Sequence, residues 1–194
     1  MTPAPKAVWT VGHSNHEFEH LLALLQGEEI EFVVDVRSYP YSRYAPQFNR
    51  DALEAKLPLR DVGYLFLGEE LGGRPTQEEH YDAEGHALYG PMSQETAFTE
   101  AVDRVIRGSD RFRLALLCSE VDHTDCHRRL LVGKVLTDHG VQLHHILPDG
   151  GIRTEATVAL PGDHAQVSLL GEEELWRSTQ SVSRRARLST SSAA

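Results

Sequence analysis

The stretch LLCSEVDHTDCHRRLL at residues 116–131 concentrates side chains that can attack an electrophile, bind a metal or transfer a proton. It holds both cysteines of the chain, together with two histidines, three acids and two arginines, between one apolar run and the start of another. Four interpretations are open from the sequence: a zinc site, a cysteine pair that forms a disulfide, a reactive thiol, and a packed polar turn without chemistry.

A zinc site would need three or four convergent ligands, and the stretch offers Cys118, His123, Cys126 and His127. If Cys126 and His127 are neighbours on one helix, their side chains point about 100° apart, which disfavours a shared metal. A disulfide is disfavoured in a reducing cytosol, although a transient redox pair stays open. We therefore predict reduced cysteines, no bound metal and no cofactor.

A reactive thiol is the interpretation that gives this stretch a chemical role. In the first turn of a helix, with His127 and Arg128 adjacent, the thiolate of Cys126 would be stabilised by the helix dipole and by positive charge. Such a thiolate can attack or bind an electrophile. In the interpretation without chemistry, Thr124 caps the helix and Cys118 is buried at the end of the preceding strand.

Apolar runs that alternate with helical patterns predict the elements that position these side chains. The predicted strands cover 7–11, 30–36, 63–68, 112–118 and 141–147. The predicted helices cover 17–27, 49–60, 93–108 and 124–140, with Asn49 and Ser93 as N-caps of the second and third. This alternation is typical of a single α/β domain with a mostly parallel five-stranded sheet and helices on both faces. We expect the domain to span 7–180, after an extension at 1–6 and before a disordered tail rich in serine and arginine at 181–194.

In parallel sheets, ligands bind outside the carboxyl ends of the strands. The segments at the ends of four predicted strands, at 12–16, 35–48, 68–74 and the stretch at 116–131, should therefore share one edge of the sheet. The candidate catalytic residues on this edge are His13, Glu120, Cys126 and His127. The candidate substrate-binding residues are Ser14, Asn15, Asp35, Arg37, Ser42, Arg43, Glu69, Cys118 and Arg128.

Several of these side chains also have purely structural interpretations. His13 and Ser14 stand before a helix, so they could cap it, although an anion could bind at the same N-terminus. Asp35 and Arg37 share one face at the end of a buried strand and could form an internal ion pair. Arg43 has no neighbouring carboxylate in the six residues before it, so a ligand or a distant acid is its natural partner.

Four stretches of the chain, in this order, resemble the bacterial family known as domain of unknown function four-eight-eight. They read TVGHSNHEFEHLL, VVDVRSYPYSRYAPQFN, GYLFLGEELGGR and LLCSEVDHTDCHRRLL, and the resemblance covers about residues 8–147. The positions that carry it include Gly12, His13, Ser14, Asp35, Arg37, Ser42, Arg43, Cys126, His127 and Arg128. The resemblance implies family membership and supplies no reaction.

Composition and missing motifs narrow the function classes. The formal net charge of −10 argues against indiscriminate nucleic-acid binding, so a polyanion would need a local arginine cluster. No secretory signal opens the chain, and no run approaches the roughly 18 apolar residues of a membrane span. We therefore expect a cytoplasmic protein that does not interact with membranes. Neither a dinucleotide-binding nor a nucleotide-triphosphatase motif occurs, so redox cofactors and ATP are not indicated.

The stretch VVDVRSYP is also similar to a strand end of rhodanese and related phosphatase domains. Those domains close their cysteine loop on an arginine, but neither Cys118 nor Cys126 is followed by an arginine six residues on. This difference weakens a sulfurtransferase or phosphatase interpretation, although sulfur or thiol chemistry stays open as an alternative.

Our leading hypothesis is an enzyme that acts on an anionic substrate, such as a nucleotide, a nucleic acid or a phosphorylated metabolite. We predict that His13, Arg37, Arg43 and His127 line one pocket that binds a phosphate-like anion, with Arg128 as a further donor. Glu120 would orient one of the histidines during proton transfer. The competing hypothesis is a binding module that uses the same edge to recognise nucleic acid or protein without breaking a bond.

Overall fold

The computed structural model describes residues 6–157 and 176–182 and contains one six-stranded sheet. The strands are β1 (Ala7–Gly12), β2 (Phe32–Asp35), β3 (Gly63–Phe66), β4 (Leu114–Cys118), β5 (Gln142–Ile146) and β6 (Ile152–Thr154). They lie in the order β3-β2-β4-β1-β5-β6, and β6 alone among them runs antiparallel to its neighbour. The predicted mostly parallel α/β sheet is therefore confirmed, with one more strand than the sequence indicated.

The four predicted helices are present but differ in length, and two short helices were not predicted, one at residues 68–71 and one at residues 89–94. The α-helices are α1 (Phe18–Gly27), α2 (Arg50–Lys56), α3 (Gly68–Leu71), α4 (Tyr89–Gln94), α5 (Thr96–Ser109) and α6 (Lys134–Asp138). A π-helix at Arg128–Gly133 leads directly into α6. Short 3₁₀ turns lie at Pro46–Phe48, Pro58–Arg60, Glu78–His80 and Glu155–Thr157.

Of the predicted helix caps, Asn49 alone occupies an N-cap position, and none of the three side chains bonds a helical amide. Ser93 lies inside α4 and donates its hydroxyl to the Gly90 carbonyl, because the chain is extended at Glu95 and α5 begins only after it. Asn49 occupies the N-cap position of α2, but its side-chain oxygen accepts the Ser42 N–H and caps no helical amide. Thr124 lies in a turn and donates its hydroxyl to the Asp122 carboxylate instead of capping a helix.

The helices cover both faces of the sheet. On one face Leu21 of α1 and Leu53 of α2 belong to a buried cluster with Val33 of β2. On the other face α5, the π-helix and α6 form a second buried cluster, which includes Val102 and Leu116. Burying each such side chain contributes roughly 1.5–3 kcal/mol to folding, so two apolar layers fix the sheet between them.

The position of β4 determines where a crevice can form. This strand pairs in parallel with β1 on one side and β2 on the other. The helices that follow β1 and β2 lie on one face, whereas the helix that follows β4 lies on the opposite face. Neighbouring connections therefore diverge at the carboxyl end of β4, which is where α/β sheets place their ligands.

No helix in residues 6–157 or 176–182 combines the length and apolar character needed to cross a membrane. The expected extension and tail lie almost wholly outside these residues. At the start of the expected tail, the Val182 N–H donates to the Gly85 carbonyl and the Ser181 hydroxyl lies 3.3 Å from the same oxygen.

Candidate functional site

A cavity of about 410 Å³ opens at the carboxyl end of β4. Its walls come from the loops after β2, α3 and β4, from the start of the π-helix, and from a segment near the C-terminus. The lining residues are Arg37, Ser38, Tyr39, Gly73, Arg74, Tyr89, Cys118, Ser119, Glu120, Asp122, Asp125, His127 and 178–182. The sheet edge predicted from the sequence is thus the edge that carries this cavity.

Two thiols and one imidazole meet at the floor of the cavity. Both Cys118 and Cys126 are free and buried, and each Sγ lies 3.9 Å from Nδ1 of His127. The other ring nitrogen of His127 donates to the Val36 carbonyl at 2.8 Å, because a carbonyl can only accept. Nδ1 is therefore turned toward the sulfurs, and we call these three residues the Cys–Cys–His cluster.

A turn brings the cluster together. The N–H of Cys126 donates to the His123 carbonyl, and regular helix begins only at His127. Because Cys126 does not lie on an α-helix, the expected divergence of its side chain from that of His127 does not occur. Gly73 packs against the imidazole, where an added Cβ would lie 2.5 Å from Cγ of His127.

The pKa values of the two thiols in the cluster are shifted in opposite directions. The hydrogen bond from Cys126, supported by His127, holds the pKa of Cys118 well below its ordinary value even though burial opposes this. Burial and the neighbouring sulfur raise the pKa of Cys126. Burial lowers the pKa of His127, but the charge and hydrogen bond of Cys118, together with the bond to the Val36 carbonyl and the charge of Glu120, outweigh it and the net shift is upward. The favoured thiolate is therefore Cys118, whereas the sequence favoured Cys126.

Arg37 and Asp35 form the internal ion pair that the sequence left open. Asp35 is fully buried and accepts from the backbone N–H of Arg37 at 3.0 Å, from its Nε at 2.8 Å and from its NH2 at 2.5 Å. Tyr64 donates its hydroxyl to the same carboxylate at 2.7 Å. Only an edge of the Arg37 guanidinium reaches the cavity, because 6% of the residue is exposed.

His13 supports Arg37 from the opposite side. Its Nε2 accepts from NH1 of Arg37 at 2.9 Å, so its Nδ1 carries the proton and donates to the Ser14 carbonyl at 2.6 Å. Burial and the nearby guanidinium lower the pKa of His13 to about 4, which keeps the ring neutral. Since both ring nitrogens are occupied and the residue does not line the cavity, His13 orients Arg37 and is badly placed to shuttle a proton.

Arg128 shapes the loop after β4. It is 1% exposed, and its guanidinium donates to the carbonyls of Glu120 at 2.6 Å and Val121 at 2.9 Å. The loop also presses on Gly12, where an added Cβ would lie 1.9 Å from the Glu120 oxygen. These contacts leave the Glu120 side chain exposed at the cavity.

The remaining predicted residues lie elsewhere. Ser14 donates to Asn15 at 3.3 Å, and α1 begins after Glu17 without a side-chain cap, so the predicted cap is absent there. Arg43 is exposed, bonds to the Tyr44 hydroxyl and stacks over its ring, outside the cavity lining.

Ser42 and Glu69 are likewise outside the lining. The Ser42 hydroxyl accepts the Tyr44 N–H at 3.1 Å, and Glu69 is exposed on α3. Of the four residues predicted to share one anion pocket, the lining contains Arg37 and His127 and neither His13 nor Arg43.

A second polar group, outside the cavity lining, joins the π-helix to β5. His145 donates from Nε2 to Glu155 and accepts from the Thr10 hydroxyl at Nδ1, both at 2.8 Å. Arg129 binds the same Glu155 carboxylate. His123 stacks on His145 with ring centroids 4.1 Å apart, and burial together with the neighbouring ring lowers its pKa to about 4. His123 therefore belongs to this group and lies outside the Cys–Cys–His cluster.

Residues 178–182 form one wall of the cavity, and no sequence motif marks them. The Trp176 indole donates to the Leu130 carbonyl at 2.8 Å, which fixes the segment on the π-helix. The buried Ser178 hydroxyl accepts the Ala87 N–H, and residues 178–182 then line the cavity. These residues could not be identified from the sequence, because contacts to backbone groups do not require particular residue types.

A family model described as Domain of unknown function DUF488 matches residues 17–135. The matched range runs from the residue before α1 into α6 and includes all three members of the Cys–Cys–His cluster. Searches among curated proteins and among solved structures returned no match.

Proposed function

We propose that this protein, which belongs to the family described as domain of unknown function DUF488, is an enzyme that uses a thiol as its nucleophile. In this proposal Cys118 attacks an electrophilic substrate held in the cavity. The observation that carries it is the placement of the Cys118 sulfur on the cavity lining, 3.9 Å from an imidazole nitrogen with no competing carbonyl partner. Family membership supplies no reaction, so the proposal depends on this geometry.

The cluster can supply both an acid and a base. His127 Nδ1 would hold the proton that the Cys118 thiol releases when its thiolate forms, and this N–H would pass the proton to the leaving group as the sulfur attacks. The bond from Nε2 to the Val36 carbonyl holds the ring in the orientation that this transfer needs. The distance of 3.9 Å is long for proton transfer, and such contacts commonly shorten when substrate binds.

The charges around the cavity bear on the substrate. Arg37 is already neutralised by Asp35, so it adds less to anion binding than its position in the sequence suggested. Arg74 lines the cavity, but the carboxylates of Glu120, Asp122 and Asp125 line it as well. These charges favour a neutral or weakly polar electrophile over a strongly anionic one. An anionic substrate therefore has weaker support than thiol chemistry.

The test uses iodoacetamide as a small neutral electrophile, with the modified residue identified by peptide mass spectrometry. We expect the native protein to alkylate at Cys118, and Cys118→Ser to abolish this labelling. His127→Gln should slow the reaction at Cys118, whereas His139→Gln, which changes an exposed histidine at the C-terminal end of α6, should not. Cys126→Ser should leave Cys118 as the labelled residue.

Two results would count against the proposal. One is labelling of Cys118 at the same rate in the native protein and in His127→Gln, because the histidine would then not activate the thiol. The other is labelling of Cys118 only after unfolding, which would mean that the cavity does not admit an electrophile. A binding module would instead tolerate loss of Cys118 with ligand binding intact.

A further inference from the structure

We infer that the reduced Cys–Cys–His cluster is also a binding site for a thiophilic divalent cation such as Zn²⁺, and that the bound cation blocks the thiol of Cys118. The existence of the site is independent of the proposed function, whereas the blocking rests on it. The three ligand atoms, two Sγ and one Nδ1, lie within 4.8 Å of one another.

The separations are close to those that zinc requires. With Zn–S of about 2.3 Å and Zn–N of about 2.1 Å in a tetrahedron, each sulfur should lie roughly 3.6 Å from the nitrogen. Both Sγ–Nδ1 distances are 3.9 Å. Each sulfur therefore needs to move closer to the imidazole nitrogen by only a few tenths of an ångström.

The histidine already has the orientation of a metal ligand. Histidines that bind metals usually donate their other ring N–H to a carbonyl or carboxylate, which fixes the tautomer with a lone pair toward the metal. His127 makes this bond to the Val36 carbonyl at 2.8 Å, and Gly73 packs against Cγ and Cβ of the same side chain. The free lone pair of Nδ1 thus points at the two sulfurs before any metal arrives.

The fourth coordination position would face the cavity. Cys118 and His127 line the cavity, whereas Cys126 is 0% exposed and closes the inner side. Three protein ligands with one open position differ from the closed four-ligand sets of structural zinc sites. Water would complete the coordination, and the thiol protons displaced by Zn²⁺ would leave to solvent.

From the sequence we expected no bound metal at these residues. That expectation assumed an α-helix through residues 124–127, which would separate the side chains of Cys126 and His127. The turn at this point removes the separation, so the geometric objection to a metal no longer applies.

The chain also provides a matched control group. Asp82, Glu84 and His86 likewise place three ligand atoms within 4.8 Å of one another. They lie nearer the surface, however, and both carboxylates already pair with Arg177. A cation held there would be adventitious, so His86→Ala reports binding that does not involve the cluster.

The experiment titrates Zn²⁺ into reduced, metal-free protein by calorimetry and repeats the titration with Co²⁺ in the spectrophotometer. We expect one Zn²⁺ per chain and a thiolate-to-cobalt charge-transfer band. Cys126→Ser and His127→Gln should each weaken binding by more than about tenfold, since even partners outside the ligand set change affinity by that much. His86→Ala should bind like the native protein. Circular dichroism of each variant checks that it is folded.

The outcomes separate the two proposals. Absence of a cobalt–thiolate band, or loss of binding in His86→Ala with retention in both cluster variants, would overturn the metal site. Zn²⁺ should also protect Cys118 from iodoacetamide, and unchanged labelling with Zn²⁺ bound would overturn the blocking. If the metal binds but metal-free Cys118 is inert, the proposed function fails and the site stands. If Cys118 reacts but no metal binds, the metal site fails and the proposed function stands.

Discussion

Replacing Asp35 by asparagine should strongly destabilise the fold. The side chain keeps its shape but loses its charge, and Arg37 is then left with a buried, uncompensated guanidinium. Removing one partner of a buried pair costs about 3–5 kcal/mol. The upper part of that range applies here because the carboxylate accepts three bonds from Arg37 and a fourth from Tyr64. A typical domain has only about 5–15 kcal/mol of stability, so the loss should be easy to measure.

The assay is urea unfolding at neutral pH, followed by circular dichroism and by the fluorescence of the buried Trp9. Asp35→Asn should lower the midpoint without changing the slope, which identifies a change in stability. Tyr64→Phe removes one hydrogen bond to the carboxylate and should cost about 1.5–3 kcal/mol. Arg43→Ala changes an exposed arginine outside this network and should leave the midpoint nearly unchanged.

A double variant tests whether Asp35 holds Arg37 in place. Replacing both members of a buried pair by uncharged side chains is often close to neutral, so Asp35→Asn with Arg37→Met should recover much of the stability lost in Asp35→Asn. If Asp35→Asn costs less than about 1 kcal/mol, or if the double variant is less stable than the single one, Arg37 is not held by this pair. The arginine would then be available to a ligand, as the sequence suggested.

Two further predictions concern the neighbourhood of the cavity. Gly73→Ala should force the His127 ring aside, costing about 1–3 kcal/mol by overpacking and weakening Zn²⁺ binding, both measurable by unfolding and titration. Gly90→Ala, which meets nothing within 4 Å, is its control, and equal behaviour of the two variants would contradict the contact. Hydrogen bonds from His145 and its neighbours hold the pKa of Glu155 below 4.5 despite burial, so its ionised form stabilises the fold above that pH. Stability should fall as the pH drops below the ordinary glutamate pKa and through the lowered one, and Glu155→Gln should flatten this decline in urea unfolding measured at a series of acidic pH values; an equally steep decline would refute the assignment.

The fold was largely predictable because buried parallel strands read as unbroken apolar runs. β6 was missed because it has three residues, two of them exposed, and it pairs through a turn in which Gly150 has a φ of 83°. The boundary between α4 and α5 was missed for a different reason. Residues 93–97 read SQETA and contain no glycine or proline that would mark a helix end, so only the extended backbone at Glu95 separates the two helices.

The location of the candidate site was predictable, but the partners of its residues were not. The rule that ligands bind at strand ends pointed to the edge where the cavity lies. The ion pair of Asp35 and Arg37 was visible as an alternative because the two residues share a strand face. Arg128 instead bonds to two backbone carbonyls. Because every residue has a backbone carbonyl, such partners cannot be predicted from residue types.

The sequence also did not reveal which of the two cysteines forms the thiolate. Position on a helix favoured Cys126 as the thiolate, but the structure buries that residue and gives Cys118 the hydrogen-bond donors. Which of two cysteines is activated depends on contacts across nine positions of the chain and the turn between them, and local residue types do not encode such contacts.

The central position of β4 also constrains how the chain can reach its native state. β1 and β2 do not pair with each other, and the strand that joins them ends at Cys118. During synthesis, the first hundred residues therefore emerge without the strand that would pair β1 with β2. Strand pairing between distant parts of a chain is slow, and unpaired strand edges aggregate readily. We expect the insertion of β4 to be the late step that converts a loosely ordered nascent chain into the closed sheet, and the same step brings the Cys118 sulfur into place.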